Sequence, residues 1–119
     1  MIKFICYPKC TTCQKAQKWL DAKGIEYTVR NIKENNPTEE ELTLWYKVSG
    51  SDIKKFFNTS GQSYRAMNLR EKLLCMTDEE KIKLLASDGM LVRRPLLIGE
   101  DFVLTGFREA QWEEKLTKL

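Results

Sequence analysis

The sequence predicts an α/β fold: a β-α-β unit at the start, a helical middle, and a β-β-α unit at the end, with the strands joined in one mixed sheet. Three observations carry that reading. A short apolar run stopped by Pro8 leads into a stretch of helical periodicity and then into an alternating segment. Two capping-box signatures in the middle of the chain announce helices there. Near the end, Leu96-Leu97-Ile98, a turn at Gly99-Glu100-Asp101 and the run from Phe102 to Thr105 have the pattern of a hairpin.

Taken in order, Ile2 to Tyr7 is a buried strand, ended by Pro8. A helix follows from about Thr11 to Lys23. Cys13, Ala16, Trp19 and Leu20 share one of its faces, and Gly24 stops it. Ile25 to Asn31 alternates Ile, Tyr and Val with polar residues, as a half-buried strand does. A β-α-β unit of this kind implies parallel strands with a right-handed crossover. Thr38 with Glu41 opens a helix carrying Leu42, Trp45 and Tyr46. An apolar cluster follows at Ile53, Phe56 and Phe57, then a turn at Ser60-Gly61. A further helix is expected from near Asn68 to Cys75, with Leu69, Leu73 and Leu74 inward. Thr77 and Glu80 open another, which carries Leu84, Leu85 and Ala86 and ends at Gly89. After the hairpin, a last helix from about Glu109 to Leu116 packs Trp112 and Leu116.

At 119 residues the chain is expected to form one domain, large enough to bury a core without disulfides or a metal. Its net charge of +3 is spread over many short runs, which argues against nucleic acid as a direct partner and weakly for a small anionic ligand. Phe4-Ile5-Cys6-Tyr7 is too short for a signal-peptide core, and nothing later approaches a membrane span, so a cytoplasmic protein is expected. There are four cysteines and no histidine. Cytosolic cysteines are core residues, metal ligands or redox groups, and the missing histidine removes Cys–His catalysis and any His-containing zinc site.

The chemistry centres on Cys10-Thr11-Thr12-Cys13. Cys10 falls at or just before a helix N-terminus, where unpaired N–H groups and the positive end of the macrodipole stabilise a thiolate. Thiols so placed drop to a pKa of roughly 3.5–7.5. Lys9 adds positive charge, and the Thr11 and Thr12 hydroxyls can face the sulfur or a bound anion. Cys13 lies one helical turn on, where it can resolve an adduct on Cys10 by forming an intramolecular disulfide. It also falls on the apolar face, so it reads equally as a small core residue. A four-thiolate zinc site would have to recruit Cys6 and Cys75, and there is no second C-x-x-C. Both of those cysteines are expected in the core. Arg94 precedes Pro95, which pushes it toward extended backbone, and Arg108 follows a Gly-Phe turn. Arginine forks suit oxyanions, but Arg93-Arg94 also reads as a solvated pair at a strand entrance.

Together, the strand-loop-Cys10-Thr11-Thr12-Cys13-Gln14-Lys15-Ala16 opening, Phe56-Phe57-Asn58-Thr59, Leu91-Val92-Arg93-Arg94-Pro95-Leu96-Leu97-Ile98 and Gly106-Phe107-Arg108 resemble the arsenate reductase/Spx (ArsC-like) family. The match runs through essentially the whole chain, in order and at similar spacing. It implies a thioredoxin-like, glutaredoxin-related fold with a helical insertion at approximately 36–90. It also implies that Pro95 is a cis-proline facing the active cysteine, and that Arg94 lines the site.

The family's branches imply different activities. Glutaredoxin-coupled arsenate reductases use one nucleophile, here Cys10, and three arginines around the oxyanion. Arg94 matches one of these and Arg108 approximates another, but Asn58 stands where the first is expected. That departure, with the presence of Cys13, tells against arsenate reduction of the usual kind. The resemblance therefore implies a thiol oxidoreductase acting on an oxyanion, a disulfide or a glutathione adduct. It would have no bound cofactor, and glutathione, glutaredoxin or thioredoxin would be its reductant. Cys10, Cys13 and Arg94 are its candidate catalytic residues, and Thr11, Thr12, Asn58, Arg94, Pro95 and Arg108 its candidate substrate contacts. The alternative is an Spx-like regulator in which the C-x-x-C is a redox switch and the partner is the C-terminal domain of the RNA polymerase α subunit.

Overall fold

The computed structural model describes residues 2–117. Its four strands are β1 (Ile2–Cys6), β2 (Tyr27–Asn31), β3 (Leu96–Ile98) and β4 (Val103–Thr105), in the order β2-β1-β3-β4. β2 runs parallel to β1, while β3 pairs antiparallel with both β1 and β4. Helix α1 (Thr11–Ala22) makes the first crossover, and α6 (Glu109–Leu116) follows β4. Between β2 and β3 lie α2 (Glu39–Ser49), α3 (Gln62–Ala66), α4 (Leu69–Lys72) and α5 (Asp78–Ser87), with short 3₁₀ turns at Ile53–Phe56, Leu73–Cys75 and Gly89–Leu91. No helix among the described residues is long and apolar enough to cross a membrane.

The sheet separates two cores, and strand alternation assigns each side chain to one of them. Phe4, Cys6, Leu97 and Leu104 face α1 and α6, where they meet Cys13, Ala16, Leu20 and Trp112. Ile5, Leu96, Ile98 and Val103 face the inserted helices, meeting Leu42, Trp45, Phe56 and Leu85. Covered on both faces, β3 buries all three residues, which is why it is a continuous apolar run in the sequence. β2 lies at one edge and is largely exposed. It begins at Tyr27 rather than Ile25, because Gly24, at φ +68°, and the Ile25 N–H bond to the Leu20 carbonyl complete the α1 C-cap.

Both capping boxes form as expected. Thr38 and Glu41 exchange hydrogen bonds at the start of α2, and Thr77 and Glu80 do so at α5. Glu41 also takes a two-pronged pair from Arg30 of β2, at 2.6 and 2.8 Å, tying the insertion to the sheet edge. Helix α5 stops at Ser87, short of Gly89. Asp88 instead caps the next turn, and Gly89 packs so tightly on the Ile32 carbonyl that a Cβ would lie 2.0 Å from it.

The segment from Asn68 to Cys75 corrects the sequence expectation. It is not one helix: Asn68 is left-handed at φ 53°, α4 is a single turn, and a 3₁₀ turn follows. Leu69 and Leu73 point inward as expected, but Leu74 is 85% exposed and Cys75 is exposed. With Leu69 and Leu73 inward, α or 3₁₀ winding alike places Leu74 roughly a third of a turn and Cys75 more than half a turn round from Leu73, which takes both out of the buried face. Helix α3, absent from the sequence reading, buries Tyr64 against Phe57.

Trp112 is fully buried, donates its Nε1–H to the Gly106 carbonyl at 3.1 Å and stacks edge-on with Phe107 at 4.8 Å. Trp112→Ala is expected to cost about 3–5 kcal/mol in urea unfolding. The Arg30 guanidinium, opposed by partial burial, holds the Glu41 carboxyl down at about 2. A carboxylate lowered on folding stabilises the fold above its ordinary range and loses that contribution as pH falls toward the folded value. Glu41→Gln should therefore be less stable than the parent at neutral pH, with the gap closing as urea midpoints are followed down to about pH 2.

Candidate active site

The loop after β1 turns through Tyr7, Pro8 and Lys9, closed by the Cys10 N–H bond to the Tyr7 carbonyl at 2.9 Å. Cys10 is thereby the N-cap of α1, with extended backbone at φ −83° and ψ 120°. A thiol is a poor cap, and Cys10 forms no side-chain cap hydrogen bond in this state. The Thr12 and Cys13 amides nevertheless face the sulfur. Burial alone would raise the Cys10 pKa, but the thiolate is stabilised by the Cys13 amide and thiol, the Thr12 amide and the Arg94 side chain. The net result is a lowered pKa.

Cys13 has the opposite environment. It is 2% exposed within the core between the sheet and α1. Burial raises its thiol to about 12, against a hydrogen bond donated by the Tyr7 N–H at 3.5 Å. The neighbouring Cys10 and Cys6 sulfurs add to the rise. Cys6 is also raised, by burial and then by Cys10. The two descriptions of Cys13, core residue and neighbour of the Cys10 sulfur, are both true of it. The four thiols do not gather, since Cys75 lies exposed on the insertion. Among the described residues no three His, Cys, Asp or Glu side chains are grouped to hold a metal ion.

The Arg94-Pro95 peptide is cis. Arg94 faces the Cys10 sulfur, with its Cζ 5.3 Å from the Tyr7 ring centroid and Nη1 donating weakly to the Met90 carbonyl at 3.4 Å. Its Nε is buried with no hydrogen-bond partner among the described residues. The insertion is laced to this strand entrance: Phe57 bridges Val92, the Arg93 N–H bonds the Phe56 carbonyl, and the Asn58 N–H bonds the Leu91 carbonyl. Asn58 thus lies opposite Leu91, its side-chain oxygen accepting from Ser60 Oγ at 3.3 Å.

A cleft of about 680 Å³ opens here, with Cys10, Thr12, Asn58 and Arg94 in its walls. Thr11, exposed on the first turn of α1, and the buried Pro95 do not line it. Arg108 is not brought to it either. Gly106, at φ +72°, turns the chain after β4, and Arg108 at the start of α6 lines a second cavity instead. The sequence reading missed Arg93, Phe107, Ser60 and Ser63, which do line the cleft. Arg93 lies over Gly106, where a Cβ would come within 2.6 Å of its Nε. Arg93 and Phe107 stand within the quoted motif segments, next to Arg94 and Gly106, and Ser60 stands in the expected turn, whereas nothing in the sequence singles out Ser63.

Known proteins resemble the chain along nearly its whole length. The chain matches the ArsC family model over residues 6–115. It belongs to the ArsC family. Its fold is accordingly thioredoxin-like. It is 52% identical to YusI of Bacillus subtilis (strain 168), across 95% of this chain and 96% of that protein. It is 31% identical to the regulatory protein MgsR of the same organism, across 92% and 86%. A crystal structure of an ArsC-family-related protein from Bacteroides fragilis superposes with a TM-score of 0.93 at 54% identity, covering 95% of each chain.

The lowered Cys10 thiol should alkylate with iodoacetamide before Cys6 and Cys13 at neutral pH, and its rate should fall as pH drops through its pKa. Arg94→Ala, by removing one stabiliser of the thiolate, should move that rate profile to higher pH, as read by mass spectrometry of the modified peptides.

Proposed function

We propose that this ArsC-family chain is a thiol-dependent redox protein in which Cys10 is the nucleophile and Cys13 the resolving thiol. The observation that carries the reading is the contrast between the two. One sulfur sits half-exposed at a cationic helix start with its pKa lowered, and the other sits buried one turn away with its pKa raised. Cys10 thiolate attacks a disulfide, forming a bond to one sulfur and expelling the other as thiolate. Cys13 then loses its proton to the departing thiolate or to water and attacks Cys10. The bound thiol is released, and the protein holds a Cys10–Cys13 disulfide. The substrate has gained two electrons, and an external thiol (glutathione, glutaredoxin or thioredoxin) returns the protein to the dithiol. As Cys10 leaves the thiolate state, its charge no longer raises Cys13, so the first step eases the second.

A mixed disulfide or glutathione adduct fits the site better than a bare oxyanion. The cleft holds far more than a tetrahedral anion, and Asn58, Ser60 and Ser63 supply neutral polar contacts beside a single arginine that faces the sulfur. Such chemistry suits the reducing cytoplasm. A second reading, favoured by the identity to a regulatory protein, is a redox switch: a Cys10–Cys13 bond would reshape the first turn of α1 and alter affinity for the RNA polymerase α C-terminal domain.

Reduction of a glutathione mixed disulfide, coupled to NADPH through glutathione reductase, tests the proposal, with arsenate and a thioredoxin system in parallel. Cys10→Ser should abolish turnover, and Cys13→Ser should accumulate an adduct on Cys10 visible by intact mass. Full activity in Cys10→Ser would refute the reading. Inactivity of the parent, with redox-dependent binding to the polymerase domain, would establish the switch.

A further inference from the structure

The second cavity, about 410 Å³, runs along β4 on the side away from β3. β4 is an edge strand, and its hydrogen-bond phase is fixed. Phe102 accepts from Gly99 and Gly106 donates to Pro95, so these residues and Leu104 between them face β3. The N–H and C=O of Val103 and Thr105 therefore point out into the groove, and none of the four groups has a partner among the described residues.

The walls are cationic. Lys55 comes from the 3₁₀ turn after α2, Arg108 and Lys115 from the two ends of α6, and Arg93 from the entrance to β3. None of these four makes an ion pair among the described residues. Asp101 and Glu114 also line the groove, leaving cations in excess. On the α2 side Val48 is 36% exposed, and Leu44 one turn earlier is 58% exposed, giving the rim an apolar strip.

We infer that this groove receives an extended acidic segment of a partner protein, added as a strand to the free edge of β4. The alternating pattern of donors and acceptors decides among occupants. A phosphate or other compact anion would meet the two carbonyl oxygens as well as the two N–H groups, whereas an antiparallel or parallel strand satisfies all four. The cations select acidic side chains on that strand, and the Val48–Leu44 strip accepts an apolar residue between them. A second copy of this chain is disfavoured, because edge-to-edge pairing would bring the same four cations face to face. The groove is separate from Cys10, and the inference does not rest on the thiol chemistry.

The test is fluorescence anisotropy of a short labelled peptide of alternating Glu and Val against the full-length protein. Saturable, salt-sensitive binding is expected. It should be weakened at least about tenfold by Lys55→Glu with Lys115→Glu, and retained by Cys10→Ser. Methylation of alternate peptide amides should abolish it, and hydrogen exchange at Val103 and Thr105 should slow in the complex. The rate of Cys10 alkylation reports that the double variant is folded, and the methylation and exchange arms need only the parent chain. Absence of binding overturns the inference. So do binding that is indifferent to amide methylation, and equal protection of the same amides by inositol hexakisphosphate, which would mark a site for compact anions.

Discussion

The start of α1 is the feature on which the rest of the site depends. Helices α2 and α5 begin in the most stabilised way available to them, each with a complete capping box and three acidic residues in the first turn. Helix α1 has neither. Its N-cap is a cysteine without a cap hydrogen bond, and its first turn carries no acid. The orphan amides of Thr12 and Cys13 and the positive end of the dipole are thus left for one anion, the Cys10 thiolate. Local stability given up at this end of the helix is what lowers the thiol, and a conventional cap or an acidic residue here would remove both the vacancy and the reactivity.

The second contributor, Arg94, is placed by long-range structure. Residues 56–58 of the insertion lace onto residues 91–93, which fixes the strand entrance immediately before Arg94 and the cis Pro95. From the other side, Trp112 anchors the Gly106 carbonyl and supports Phe107 at the cleft wall. Gly106 suits this turn through its positive φ, and the Arg93 side chain lies against it. The cleft is therefore built from the insertion, the β3 entrance and the β4–α6 turn, all closing on a sulfur carried by α1.

Features encoded by local rules were legible in the sequence. The capping boxes at Thr38 and Thr77, the hairpin after Ile98 and the helix start behind Cys10 each depend on a few neighbouring residues, and each stands where the pattern puts it. The losses came where winding or tertiary contact decides. Leu74 and Cys75 look like core residues by type, but with Leu69 and Leu73 turned inward the winding leaves both on the outside. Arg108 looks convergent with Arg94 because both follow motifs of the family. The left-handed turn at Gly106 sends it to the other cavity, and no local signal records that. The family resemblance supplied the cis Pro95, which spacing alone could not.

Arg93 lines both cavities, which raises the question of whether an occupant of the β4 groove would alter the thiol. Coupling requires that the occupant interact differently with two states of the site. The groups that most stabilise the Cys10 thiolate are the Thr12 and Cys13 amides, the Cys13 thiol and Arg94. A strand seated on β4 can draw Arg93 toward its own carboxylates without touching any of the four. The Arg93 backbone is held independently by its bond to Phe56, so movement of the side chain need not shift Arg94. The geometry thus places docking and thiol chemistry side by side, with the Arg93 side chain in the walls of both cavities. That arrangement would let a partner bound along β4 present a disulfide to Cys10.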